Sequence, residues 1–128
     1  MFNRNEVDIT GNLTADVQLK YTRSGKAICE VIVAVNNSYT NSAGVKVNQA
    51  DFIPVEVWGA KAEALAKYMG KGDEVSVRGV LKQHRWQNNQ GQNRSRITVN
   101  AMKIQFGRKA GQRYQQHTQQ NQVTTHYV

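Results

Sequence analysis

The sequence predicts an all-β domain, a small closed barrel of strands with one short helix inserted, followed by a disordered tail. Three observations predict it. Apolar and polar residues alternate along most of the chain, the period of half-buried strands. A single helical period interrupts them between Gly59 and Gly70, and from Gly107 onward no hydrophobic period remains. A lone helix between two strands, in a chain otherwise made of strands, favours a closed barrel over a sandwich. A length of 128 residues fits one domain, residues 1–107, plus a tail, residues 108–128. Such a domain buries roughly two-thirds of its unfolded surface, enough for a core without staples.

The elements follow in order. Val7, Ile9 and Gly11 alternate with Glu6, Asp8 and Thr10, a first strand that ends at the turn-like Gly11-Asn12. Leu19 to Thr22 is a short extended piece, and Ser24-Gly25 marks a turn. Ala27 to Asn37 is a long strand with Cys29, Val31, Val33 and Val35 on one side. Asn36 to Asn48 reads as a hairpin loop with Tyr39 near its start. Phe52 to Trp58 alternates again: Ile53, Val55 and Val57 form a core face, while Phe52, Pro54, Glu56 and Trp58 form the other. After Gly59 the period changes, and Ala62, Leu65, Ala66 and Met69 line one side of a helix. Glu63 and Lys67 stand opposite, spaced for a surface ion pair. Gly70 and Gly72 end the helix, since glycine tolerates the left-handed conformation of most helix stops. Two strands, Glu74 to Trp86 and Arg94 to Phe106, close the domain as a hairpin across Gln87 to Asn93.

Charge is distributed unevenly. All nine acidic residues lie at or before Glu74, whereas nine Lys or Arg and no acids follow it. One-sided charge points to a polyanionic partner, and the lack of a basic amphipathic helix disfavours a membrane surface. The tail, with six Gln in its last 17 residues and no acids, buries too little apolar surface to offset its ordering entropy. Cys29 is the single cysteine and no secretion signal is visible, so a reduced, cytoplasmic compartment is expected.

Catalytic signatures are lacking. His84, His117 and His126 are scattered, no zinc-ligand spacing exists, and neither a phosphate-cradling glycine loop nor a nucleophile elbow is found. No enzyme activity, metal or cofactor is expected. What stands out is four aromatics, Tyr39, Phe52, Trp58 and Trp86, on outward faces or loops that also carry Lys and Arg. In the last hairpin Lys82, His84 and Trp86 share one face of the first arm, and Arg94 and Arg96 one face of the second. Flat rings that stack on bases, beside cations that track phosphates, are what single-stranded nucleic acid binding needs. The competing reading is a solvated edge hairpin whose cations guard against aggregation, with Trp58 capping the barrel end and Phe52 packed under the loop.

These residues also carry a family resemblance. Gly11-Asn12-Leu13, Leu19 to Thr22, Gly25-Lys26-Ala27, Val57-Trp58-Gly59, Lys71-Gly72, Gly79, Arg85-Trp86 and Gly91 resemble bacterial single-stranded DNA-binding proteins, in order, over residues 5–106. The version FIPVEVWG is similar to those of Gram-positive bacteria, their phages and mobile elements. The resemblance implies an OB-fold, a five-stranded Greek-key barrel with the helix between strands three and four, assembled as a homotetramer. It implies single-stranded DNA as partner, coated without strong sequence preference during replication, recombination or repair. Stacking falls to Tyr39, Phe52, Trp58 and Trp86, and basic contacts to Lys71, Lys82 and Arg85, with Arg94 and Arg96 added by the charge pattern. Ala60 stands where the family usually has lysine, with Lys61 one residue later, and Pro54, Ile53 and Ser95 replace a common arginine, histidine and aromatic. Many members end in an acidic tip that recruits replication and repair proteins; this sequence ends Thr124-Thr125-His126-Tyr127-Val128, and its basic tail is expected to add DNA affinity instead. Two alternatives stay open, a primosome-type protein-interaction module and a single-stranded RNA binder.

Overall fold

The computed structural model describes residues 2–111. Eight strands and one helix follow in order: β1 (Val7–Leu13), β2 (Lys20–Tyr21), β3 (Ala27–Asn36), β4 (Tyr39–Thr40), β5 (Lys46–Val47), β6 (Ala50–Trp58), α1 (Ala60–Tyr68), β7 (Glu74–Gln87) and β8 (Asn93–Phe106). The five long strands hydrogen-bond in the cyclic order β1-β7-β8-β6-β3, and β3 returns to β1 at Asn12–Ala34 and Leu13–Val33. β6 and β8 run parallel and the other neighbours antiparallel. Among these five the helix falls between the third and the fourth.

Alternation sends one side of each strand inward. Leu13, Val33, Val55, Val57, Val75, Val77 and Val99 are almost wholly buried, and Ala62, Leu65 and Met69 of the helix side close over them. Each such side chain contributes roughly 1.5–3 kcal/mol by leaving water. Cys29 belongs to this interior, and burial pushes its thiol pKa up to about 11.

Two close approaches draw the ring shut. A Cβ on Gly11 would lie 2.3 Å from the Ala34 carbonyl oxygen, and one on Gly79 2.1 Å from that of Asn100. β1 therefore runs straight through Gly11 to Leu13 instead of turning at Gly11-Asn12. Gly79 sits where the β7–β8 register slips by one residue, a β-bulge that bends the pair around the barrel. At the β6–α1 junction Gly59 takes φ 71° and ψ −142°, a conformation open essentially to glycine alone.

The helix end also departs from the sequence expectation. Met69 leaves α1 in an extended conformation, and of the two following glycines only Gly72 has a positive φ. The turn is instead tied by Asp73, whose carboxylate accepts from the Gly70 N–H at 2.8 Å, the Ala110 N–H at 2.7 Å and the Lys109 ammonium at 2.6 Å. Arg108 to Ala110, placed in the tail by composition, are thus held against the barrel. The expected disorder of the remaining tail falls on residues 112–128, outside those described. Among the described residues no helix is long and apolar enough to cross a membrane.

Candidate nucleic-acid interface

The outward side of the β3-β6-β8-β7 sheet is assembled by register. On β6, Phe52 lies opposite Ala34, Pro54 opposite Ile32, Glu56 opposite Glu30 and Trp58 opposite Ile28. The parallel pairing of Glu56 with Asn100 brings Asn100, Thr98, Arg96 and Arg94 to the same side, since alternate residues share a face. Across the β7–β8 hairpin Thr98 faces Lys82, Arg96 faces His84 and Arg94 faces Trp86. One surface thus joins Phe52, Trp58, Trp86, Lys82, Arg94 and Arg96.

Three rings differ in their freedom. Phe52 is 64% exposed opposite a small alanine, and Trp86 is 46% exposed near the hairpin tip. Trp58 is half-buried: its indole N–H donates to the Glu56 carboxylate at 2.8 Å, and the Lys26 ammonium lies over the ring, 5.2 Å from the centroid. The indole borders a groove lined by Lys26, Lys61, Asn100, Ala101 and Met102. A helix that starts immediately after Gly59 is what brings Lys61 beside Trp58.

Arg85 alternates to the opposite side of the arm from Trp86. Its guanidinium donates to Gln83 at 2.5 Å, and with Trp86 and Arg94 it lines a groove at the hairpin tip. Tyr39, 50% exposed, stands apart on the separate β4–β5 hairpin that extends the β3–β6 pair. Lys71 is exposed in the turn before β7, at the other end of that strand from Trp86, and its N–H donates to Asp16 at 2.8 Å. Twelve residues of strand between Glu74 and Trp86 amount to roughly 40 Å of backbone at about 3.3 Å per residue. Nine of the ten sequence-marked residues therefore belong to the sheet face, its grooves or the two hairpins, while Lys71 lies at the opposite end of β7 from Trp86.

The acidic groups on this face take partners that the sequence does not announce. Glu30 forms an ion pair with Arg96, and Glu56 receives His84 at 3.5 Å in addition to the Trp58 indole. His84 also meets the buried Thr98 hydroxyl at 3.2 Å. Lys26 joins this face too, and its place beside Trp58 follows from the pairing of Ile28 with Trp58. Tyr21 and Tyr68 are 58% and 54% exposed by the helix, where Tyr21 donates to Glu63 at 3.2 Å. Glu63 takes that partner in place of the expected Lys67, whose ammonium lies over the Tyr68 ring. No cluster of three or more metal-ligating side chains occurs among the described residues.

Comparison with known proteins agrees with this architecture. The model of the single-strand binding protein family matches residues 4–107. A single-stranded DNA-binding protein of Treponema pallidum is 37% identical over 106 residues, covering 83% of this chain and 59% of the relative. Single-stranded DNA-binding protein A of Bacillus subtilis is 37% identical over 102 residues, 80% of this chain and 58% of that protein. The chain thus spans somewhat over half the length of these relatives. Among solved structures, a deletion mutant of the single-stranded DNA binding protein from Thermus aquaticus superposes with a TM-score of 0.71 at 28% identity, covering 80% of this chain and 50% of the other. With a five-stranded ring, the helix between its third and fourth strands and a family match across the whole barrel, the chain belongs to the single-strand binding protein family.

Proposed function

We propose that this chain binds single-stranded DNA without strong sequence preference, coating and protecting exposed strands during replication, recombination or repair. The observation that carries the reading is one sheet face bearing Phe52, Trp58 and Trp86 among Lys82, Arg94 and the groove cations Lys26 and Lys61. Phe52 and Trp58 are six residues apart on β6, roughly 20 Å, so they serve different bases of one extended strand. Each stacked base contributes roughly 1–3 kcal/mol whatever its identity, because every base has a π-face. Tyr39 continues the stacking path along the β4–β5 hairpin, and Arg85 continues the phosphate path at the arm tip.

The reading extends to a homotetramer in the cytoplasm, working at the nucleoid. β1 pairs along one edge with β7 but meets β3 only at Asn12 and Leu13, and Leu81, Ile97 and Met102 are exposed. Both features favour contact with further copies. A strand wrapped around such an assembly would also reach Lys71, on the far end of β7.

The test is titration with oligo(dT) against a matched duplex, followed by tryptophan fluorescence. Saturable quenching with a defined site size, weakening as salt rises, is expected for the single strand. Equal binding of duplex, or no quenching, would overturn the reading. Light scattering of the same sample reads the assembly, with four copies expected and a monomeric mass refuting it.

A further inference from the structure

Between Phe52 and Trp58 the proposed interface carries two carboxylates, where a phosphate-binding surface gains nothing from negative charge. Glu30 and Glu56 stand directly opposite each other on β3 and β6. Like charges in that relation destabilise a sheet. Each is met by a side chain from beyond β6: Glu56 by His84 of β7, and Glu30 by the Arg96 guanidinium of β8, 66 residues away in sequence. The Arg96–Glu30 pair reaches over β6 and is partly open, with the two side chains 44% and 38% exposed. Lys82 and Arg94, on the same face, have no carboxylate partner among the described residues.

We infer that Glu30 is a built-in competitor of the nucleic-acid backbone, an internal carboxylate that occupies Arg96 and withholds it from phosphate. A carboxylate and a phosphate present the same acceptor pair to a guanidinium, so one Arg96 serves one of them at a time. Pairing within the chain needs no association, which favours Glu30 over an incoming strand. Arg96 then neutralises Glu30 instead of adding to affinity, and the phosphate path runs through Lys82, Arg94 and the groove lysines. Glu30 in this way sets an upper limit on affinity and leaves bound strands easier to release. The inference rests on the proposed single-strand binding.

The experiment compares the full-length chain with Glu30→Gln, Arg96→Gln and the double variant, measuring oligo(dT) affinity across a salt series. Glutamine keeps a hydrogen-bond acceptor for Arg96 while removing the charge, and circular dichroism checks that the barrel is retained. Glu30→Gln is expected to bind more tightly and to steepen the salt slope by about 0.7, the share of one phosphate contact to a single strand. Its advantage should therefore shrink roughly 2.6-fold when salt rises from about 50 to about 200 mM, a fourfold change raised to that power. The double variant is expected to match the wild type in affinity and slope. An unchanged Glu30→Gln would overturn the inference, as would a double variant with a shallower slope, because Arg96 would then already contact phosphate in the wild type. Failure of the wild type itself to bind oligo(dT) would sink the functional reading first, a result distinct from either.

Discussion

Replacing Phe52 by alanine isolates stacking from folding. The ring is 64% exposed, lies opposite Ala34 and makes no aromatic contact among the described residues, so its loss removes little buried area. Surface changes of this kind stay within about 0.5 kcal/mol of the parent stability. Binding is a different matter, because one stacked base is worth roughly 1–3 kcal/mol, or about 5- to 160-fold in Kd. Anisotropy of a labelled oligo(dT) measures the affinity, and urea unfolding measures the stability of the same preparation. Loss of affinity within that range, at unchanged midpoint, is the expected result. A variant binding at full strength would remove Phe52 from the stacking path. A large fall in stability would instead make the ring part of the core packing.

Other perturbations probe the remaining features. Trp58→Phe keeps a ring but loses the N–H donated to Glu56, so it should weaken oligo(dT) binding by less than Trp58→Ala, which loses the roughly 1–3 kcal/mol of stacking. Equal losses in the two variants would mean that the hydrogen bond, and not the ring face, matters. Gly79→Ala drives a Cβ to 2.1 Å from the Asn100 oxygen. A cost of about 1–3 kcal/mol should lower Tm by about 4–8 °C for each kcal/mol; an unchanged Tm would contradict the close approach. Burial raises the Asp73 carboxyl, but hydrogen bonds from Lys109, Ala110 and Gly70, with the Lys109 charge, outweigh it and hold the pKa below the ordinary value. Its contribution to stability is therefore complete above the unfolded value of about 3.9 and is lost as pH falls through the lower folded one. Lys109→Met should raise the folded value, so acid unfolding begins at higher pH; an unshifted acid limb would detach Lys109 from that role.

The strands were legible because alternation is local. Val55 and Val57 announce the inner side of β6 within a few residues, and the Gln87–Asn93 connection announces the β7–β8 hairpin. Gly59 and the 3.6 period of Ala62, Leu65 and Met69 place the helix equally well. What could not be read was set by residues far apart in the chain. Gly11 looks like a turn residue, yet its purpose is the approach of Ala34. Glu63 finds Tyr21, 42 positions earlier, and its helical neighbour Lys67 turns to Tyr68. The aromatics of the interface were visible as oddities on outward faces. Their electrostatic setting was not, because Glu30 meets Arg96 only after β3, β6 and β8 have been laid side by side.

The most direct test of the central claim, that the outward side of β3-β6-β8-β7 is the nucleic-acid face, is photocrosslinking. A bromodeoxyuridine-substituted single strand, irradiated in complex and mapped by mass spectrometry, reports which rings touch bases. Tyr21 and Tyr68 supply internal controls, being exposed aromatics beside the helix and away from that face. Crosslinks at Phe52, Trp58 and Trp86 are the predicted outcome. Crosslinks confined to Tyr21 and Tyr68 would contradict it and move the interface to the helix side of the barrel.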